Sequence, residues 1–90
     1  MARNDLAELS AFATVAGERS FTRAALKLGM SQSALSHSIG SLEKRMGVQL
    51  LARTTRSVSA TAAGAALLRE LAPALERIQS AVAETMQQRD

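Results

Sequence analysis

Four residues punctuate the middle of this chain and leave little freedom for what lies between them. Ser20 precedes an apolar-periodic segment that ends at Gly29, and Ser31 precedes a second one that ends at Gly47. A serine hydroxyl at a helix start accepts from an amide of the first turn, and glycine just past a helix end takes the left-handed conformation without steric cost. The first segment carries Phe21, Ala24, Ala25 and Leu28 on one side and is only about two turns long. In the second, Leu35, Ile39, Leu42 and Met46 advance by four, three and four positions, which is the helical period. A short helix, a tight turn and a longer helix predict a helix-turn-helix.

The flanks extend that unit. Asp5 with Glu8 three residues on forms a capping-box pattern, and Leu6, Leu9, Phe12, Val15 and Ala16 share one helical face, which predicts a first helix over residues 6–17. After Gly47 come Val48, Leu50 and Leu51, then Arg53, Thr54, Thr55 and Arg56, then Val58 and Ala60. Short apolar runs around a polar tip fit a hairpin with strands near residues 50–53 and 57–60. A plain loop with two solvated arginines fits the local sequence equally well.

Thr61 is placed to cap a last helix from Ala62 to near Arg89, about 40 Å long if fully formed. Leu67, Leu71, Leu75, Ile78, Val82 and Met86 make an apolar stripe near coiled-coil spacing along it. A 90-residue chain is too small to cover such a helix. Its first half is therefore expected to fold back on the first helix, and its second half to pair between two copies of the chain. Pro73 removes one backbone donor and crowds the preceding turn, which predicts a kink.

The formal net charge of +3 is unevenly placed. Residues 19–56 hold Arg19, Arg23, Lys27, Lys44, Arg45, Arg53 and Arg56 against the single acid Glu43, whereas both flanking segments are slightly acidic. A local basic surface calls for a polyanion, although a solvated basic face is the commoner meaning of charge alone. The outer face of the third helix narrows the choice. Gln32, Ser33, Ser36, His37 and Gly40 lie there, with Lys44 beyond. A merely exposed helix would favour Glu and Lys pairs, while a slim polar face can enter a major groove and offer donors and acceptors to base edges.

Other chemistries fit poorly. There is no cysteine, and His37 is the only histidine, so thiolate zinc sites, cysteine nucleophiles and disulfide scaffolds are excluded and no metal or cofactor is expected. Ser33 lies one turn from His37, but no acid shares that face to orient the imidazole, so no enzyme is expected. The longest stretch free of charged residues, 28–42, is serine-rich and too short to span a bilayer. Asp5 and Glu8 stand where an export signal would need an apolar core. A cytoplasmic protein with no membrane contact is expected.

Residues 20–64, reading SFTRAALKLGMSQSALSHSIGSLEKRMGVQLLARTTRSVSATAAG, resemble the N-terminal DNA-binding domain of the LysR-type transcriptional regulators. The motifs SFTRAA and SQSALS, the Leu42-Glu43 pair, Gly47, Leu50, the wing arginines, and Thr61 with Gly64 follow one another in order. The resemblance implies a mainly α fold, with a winged helix-turn-helix over residues 1–61 and a linker helix for dimerisation over residues 62–90. It also implies a homodimer, or a tetramer in the full protein, on double-stranded DNA with interrupted inverted repeats near promoters.

Carried onto matching positions, the resemblance has Gln32, Ser33, Ser36 and His37 facing bases or nearby phosphates, and Thr22 and Ser31 meeting the backbone. Arg53 and Thr54 belong to the wing contact, with Arg53 on phosphate and Arg56 in the minor groove. Leu71, Leu75, Ile78, Val82 and Met86 would serve dimerisation. Three positions depart from the usual pattern: Leu51 replaces a frequent Phe, His37 a frequent Arg, and Gly40 a common basic residue. His37 adds the expectation that affinity rises as pH falls through the histidine range. The resemblance further implies a larger domain that senses a small-molecule effector; nothing in these residues can form it.

Overall fold

The computed structural model describes residues 5–54 and 56–89, with the side chain of Asp5 also outside the described set. Helix α1 spans Asp5–Glu18, α2 Phe21–Leu28, α3 Gln32–Met46 and α4 Ala62–Gln87, with strands β1 Leu51–Arg53 and β2 Val58–Ala60 between α3 and α4. The mainly α, winged helix-turn-helix architecture is therefore present.

The punctuation acts as its chemistry requires. The hydroxyls of Ser20 and Ser31 accept from the amides of Arg23 and Ala34, both at 3.1 Å. Gly29 and Gly47 close α2 and α3 in the left-handed conformation, at φ 69° and 71°. At Gly29 the turn is fully bonded, since Gly29 N–H donates to Leu26 and Met30 N–H reaches back to Ala25, the paired bonds that satisfy a helix's last carbonyls. α1 behaves differently: it runs through Gly17, and the left-handed residue behind it is Arg19, at φ 55°.

Phe12, Val15, Leu35, Ile39 and Leu50 are fully enclosed, with Ala11, Ala24, Ala25, Leu42, Leu51, Val58 and Leu71 completing the core. α1 is the hub, because α2, α3, β2 and α4 all pack on it. Two apolar residues assigned to buried faces are about half exposed instead, Leu6 and Met46. They sit at helix ends, where none of the described elements closes over the stripe. Glu8, the acid of the expected capping box, makes a tertiary contact. Its carboxylate is buried and pairs with Arg45 of α3, because a buried carboxylate must find a cation or be neutralised. The other half of that box, the Asp5 side chain, lies outside the described residues.

Of the two readings left open for residues 50–60, the hairpin is the one formed. β1 and β2 pair antiparallel with Leu51 opposite Ala60 and Arg53 opposite Val58. Thr54 shapes the tip: its hydroxyl accepts from the amides of Arg56 and Ser57 at 3.2 and 3.0 Å. Thr55, expected in the same tip, is outside the described residues. α4 is continuous through Pro73 and makes the molecule 49 Å long against 24 and 22 Å in the other directions.

Candidate nucleic-acid interface

Two side chains fix the wing relative to α3. Glu43 Oε2 accepts from the amides of Leu50 and Leu51 at 2.7 and 3.1 Å, so the carboxylate at the end of α3 holds the first residues of the hairpin. At the other end Thr61 Oγ1 donates to the Gln49 carbonyl at 2.6 Å while accepting from Gly64 N–H at 3.0 Å. Glu43→Ala should strip two amides of their acceptor and cost about 2 kcal/mol. Chemical denaturation would measure it, with Glu43→Gln, which keeps one acceptor oxygen, falling between the two.

Between the start of α2, the start of α3 and the wing lies an open cleft of about 430 Å³, lined by Arg19, Arg23, Gln32, Arg53, Thr54 and Arg56 among others. Arg53 is the best placed of these. Its guanidinium lies over the Phe21 ring, 3.7 Å from the centroid, and its Nη2 donates to Ser36 Oγ at 2.5 Å. Arg56 is exposed at the tip.

Not all of the basic segment belongs to this surface. Arg23 and Lys27 both pair with Glu18, at 3.6 and 3.2 Å, and Arg45 pairs with Glu8. Arg19, Lys44, Arg53 and Arg56 have no acidic partner among the described residues. The charge free to meet a polyanion is thus concentrated on the α3 and wing side.

Thr22, Ser31, Gln32, Ser33 and His37 are exposed, and Ser36 is half-buried under Arg53. His37 shares a shallow depression with Gly40, Ser41 and Lys44, so the slim polar face of α3 is continuous over its length. Ser36 and Thr54 carry contacts within the chain, to Arg53 and to the wing amides. On α4, Leu71 is 9% exposed and packs in the core of its own chain, and Leu75 is half-buried against that core. Ile78, Val82 and Met86 remain 44, 53 and 55% exposed.

Three contributors escaped the sequence reading: the aromatic face of Phe21, the wing-holding carboxylate of Glu43, and Arg19 in the cleft. Glu43 had a visible signal, as the one acid within a basic segment.

Comparison with known proteins agrees with this geometry. The profile of the bacterial regulatory helix-turn-helix proteins of the lysR family matches residues 6–65. The HTH-type transcriptional regulator PgrR of Escherichia coli K12 is 55% identical over 83 residues, which cover 92% of this chain and 28% of PgrR. Among solved structures, the BenM DBD in complex with catB site 1 DNA superposes with a TM-score of 0.82 at 36% identity, covering 91% of this chain and 92% of that one. OxyR of Corynebacterium glutamicum, oxidised form, gives a TM-score of 0.86 at 39% identity, over 93% of this chain and 27% of its own. The chain spans little more than a quarter of the length of such curated relatives.

Proposed function

Because this chain belongs to the lysR family of bacterial regulatory helix-turn-helix proteins and carries their helix-turn-helix domain, we propose that it binds double-stranded DNA sequence-specifically, with α3 in the major groove. The observation that carries this reading is the uncharged polar face of α3, bordered by a wing whose arginines have no acidic partner among the described residues. Gln32, Ser33 and His37 read base edges, with Ser31 and Thr22 at helix starts meeting phosphate oxygens. Arg53 holds a backbone phosphate, and Arg56 reaches the flanking minor groove. Residues 1–61 act as the reading head and 62–90 as the linker.

Binding draws on counterion release, so affinity should fall steeply with salt. Selection from a random duplex library would yield half-site and spacing together, and an interrupted inverted repeat is the expected product. Gln32→Ala should relax preference at one or two base pairs, at a cost of about 1–3 kcal/mol for the preferred base. A library that returns no enriched sequence would overturn sequence-specific readout.

The exposed stripe of Ile78, Val82 and Met86 supports a homodimer formed through α4 of two copies. Ile78→Asp with Val82→Asp should give monomers in sedimentation that bind one half-site weakly; a dimer surviving both changes would reject this interface. In this reading the molecule works by binding and not by catalysis, needs no cofactor, and acts in the bacterial cytoplasm where chromosomal DNA is. No helix among the described residues is long and apolar enough to cross a membrane.

A further inference from the structure

We propose that Phe21 is a positioning residue for DNA binding: its ring and the Ser36 hydroxyl together hold the Arg53 guanidinium as a preformed fork for a backbone phosphate. The inference rests on the DNA-binding reading above and adds a residue that touches no DNA.

Arg53 is the last residue of β1, Phe21 the first of α2, and Ser36 lies on α3. The contact therefore joins the wing to both helices of the helix-turn-helix. An unrestrained arginine samples many rotamers, and ordering it on binding costs affinity. Here that freedom is already restricted. One face of the guanidinium is stacked, 3.7 Å from the Phe21 centroid, well inside the range of about 6 Å over which a cation is drawn to a ring. One nitrogen donates to Ser36 Oγ at 2.5 Å. Stacking occupies the face of the plane and leaves its edges, so the N–H groups not given to Ser36 stay available to an anion. Arg53 lines the cleft that Arg19 and Arg56 also line, so a phosphate there would meet several arginines. The same geometry gives Ser36 a supporting part, since its hydroxyl is committed to Arg53.

A double-mutant cycle on the 90-residue chain tests this, with a random-sequence duplex as the probe because phosphate contact is independent of sequence. Phe21→Leu keeps apolar volume and removes the ring; it should weaken binding about 3- to 10-fold, whereas Phe21→Tyr, which keeps the ring, should bind like the parent. In an Arg53→Ala background, Phe21→Leu should have no further effect on affinity. If Phe21→Leu weakens binding equally with and without Arg53, the ring is merely structural and the proposal fails. It fails also if Phe21→Leu binds like the parent. Should Phe21→Leu not fold, Ser36→Ala serves in the same cycle: loss only when Arg53 is present supports the clamp, and loss in both backgrounds overturns it by showing that Ser36 acts without Arg53. Parent chain that ignores the duplex at low salt would instead overturn the DNA-binding reading, an outcome the parent alone reports.

Discussion

Gly64→Ala should lower the melting temperature by about 10–20 °C, a loss of roughly 2–3 kcal/mol for a domain of this size. A Cβ at position 64 would sit 2.0 Å from the carbonyl oxygen of Leu50 and 3.0 Å from its carbonyl carbon. Both are backbone atoms, so no side chain can swing aside. The backbone itself is held: Leu50 N–H is bonded to Glu43, and its carbonyl accepts from Thr61 N–H at 3.0 Å. Moving α4 outward would break that bond and the one from Thr61 Oγ1 to the Gln49 carbonyl together. The direction is informative, because alanine in an exposed helix is ordinarily better than glycine by about 1 kcal/mol. Gly40, whose added Cβ would meet nothing within 4 Å, is the internal control and should gain stability on the same change. Thermal unfolding followed by circular dichroism compares the two, and a Gly64→Ala chain melting within a few degrees of the parent would contradict the close approach.

Arg53→Ala should weaken binding to every duplex about 10- to 100-fold near physiological salt, since one charge-assisted hydrogen-bonded contact is worth roughly 1.5–3 kcal/mol. The dependence of log affinity on log salt should become shallower by about one unit, the signature of a lost phosphate contact. Base preference should be retained, in contrast to Gln32→Ala. Stability should change little, because the arginine is exposed and its contacts to Phe21 and Ser36 lie at the surface. Anisotropy titrations at several salt concentrations separate these effects. Unchanged affinity would remove Arg53 from the interface.

Much of this was legible before any coordinates. Ser20, Gly29, Ser31, Gly47 and Thr61 located helix boundaries to within a residue or so, because caps are local: each needs only its own backbone and a few neighbours. The slim face of α3 was legible for the same reason, since a helix converts spacing directly into a face. The Glu8 pairing with Arg45, 37 residues away, was not. Nor was the end of α1, where local chemistry favoured Gly17 and the packing of α1 against α2 placed the left-handed turn at Arg19 instead.

The sequence by itself determined the four helices and their order, the helix-turn-helix, and the concentration of basic charge between residues 19 and 56. These follow from periodicity, capping and local composition, which act over a few residues. Only the tertiary structure decided which cations are spent internally on Glu18 and Glu8, that Leu71 serves its own core and leaves Ile78, Val82 and Met86 exposed, and that the wing forms and is tied to α3 by Glu43. It also decided that Phe21 lies beneath Arg53. Each of these depends on the approach of segments distant in sequence, and what settles them is the burial of α1 against four other elements at once.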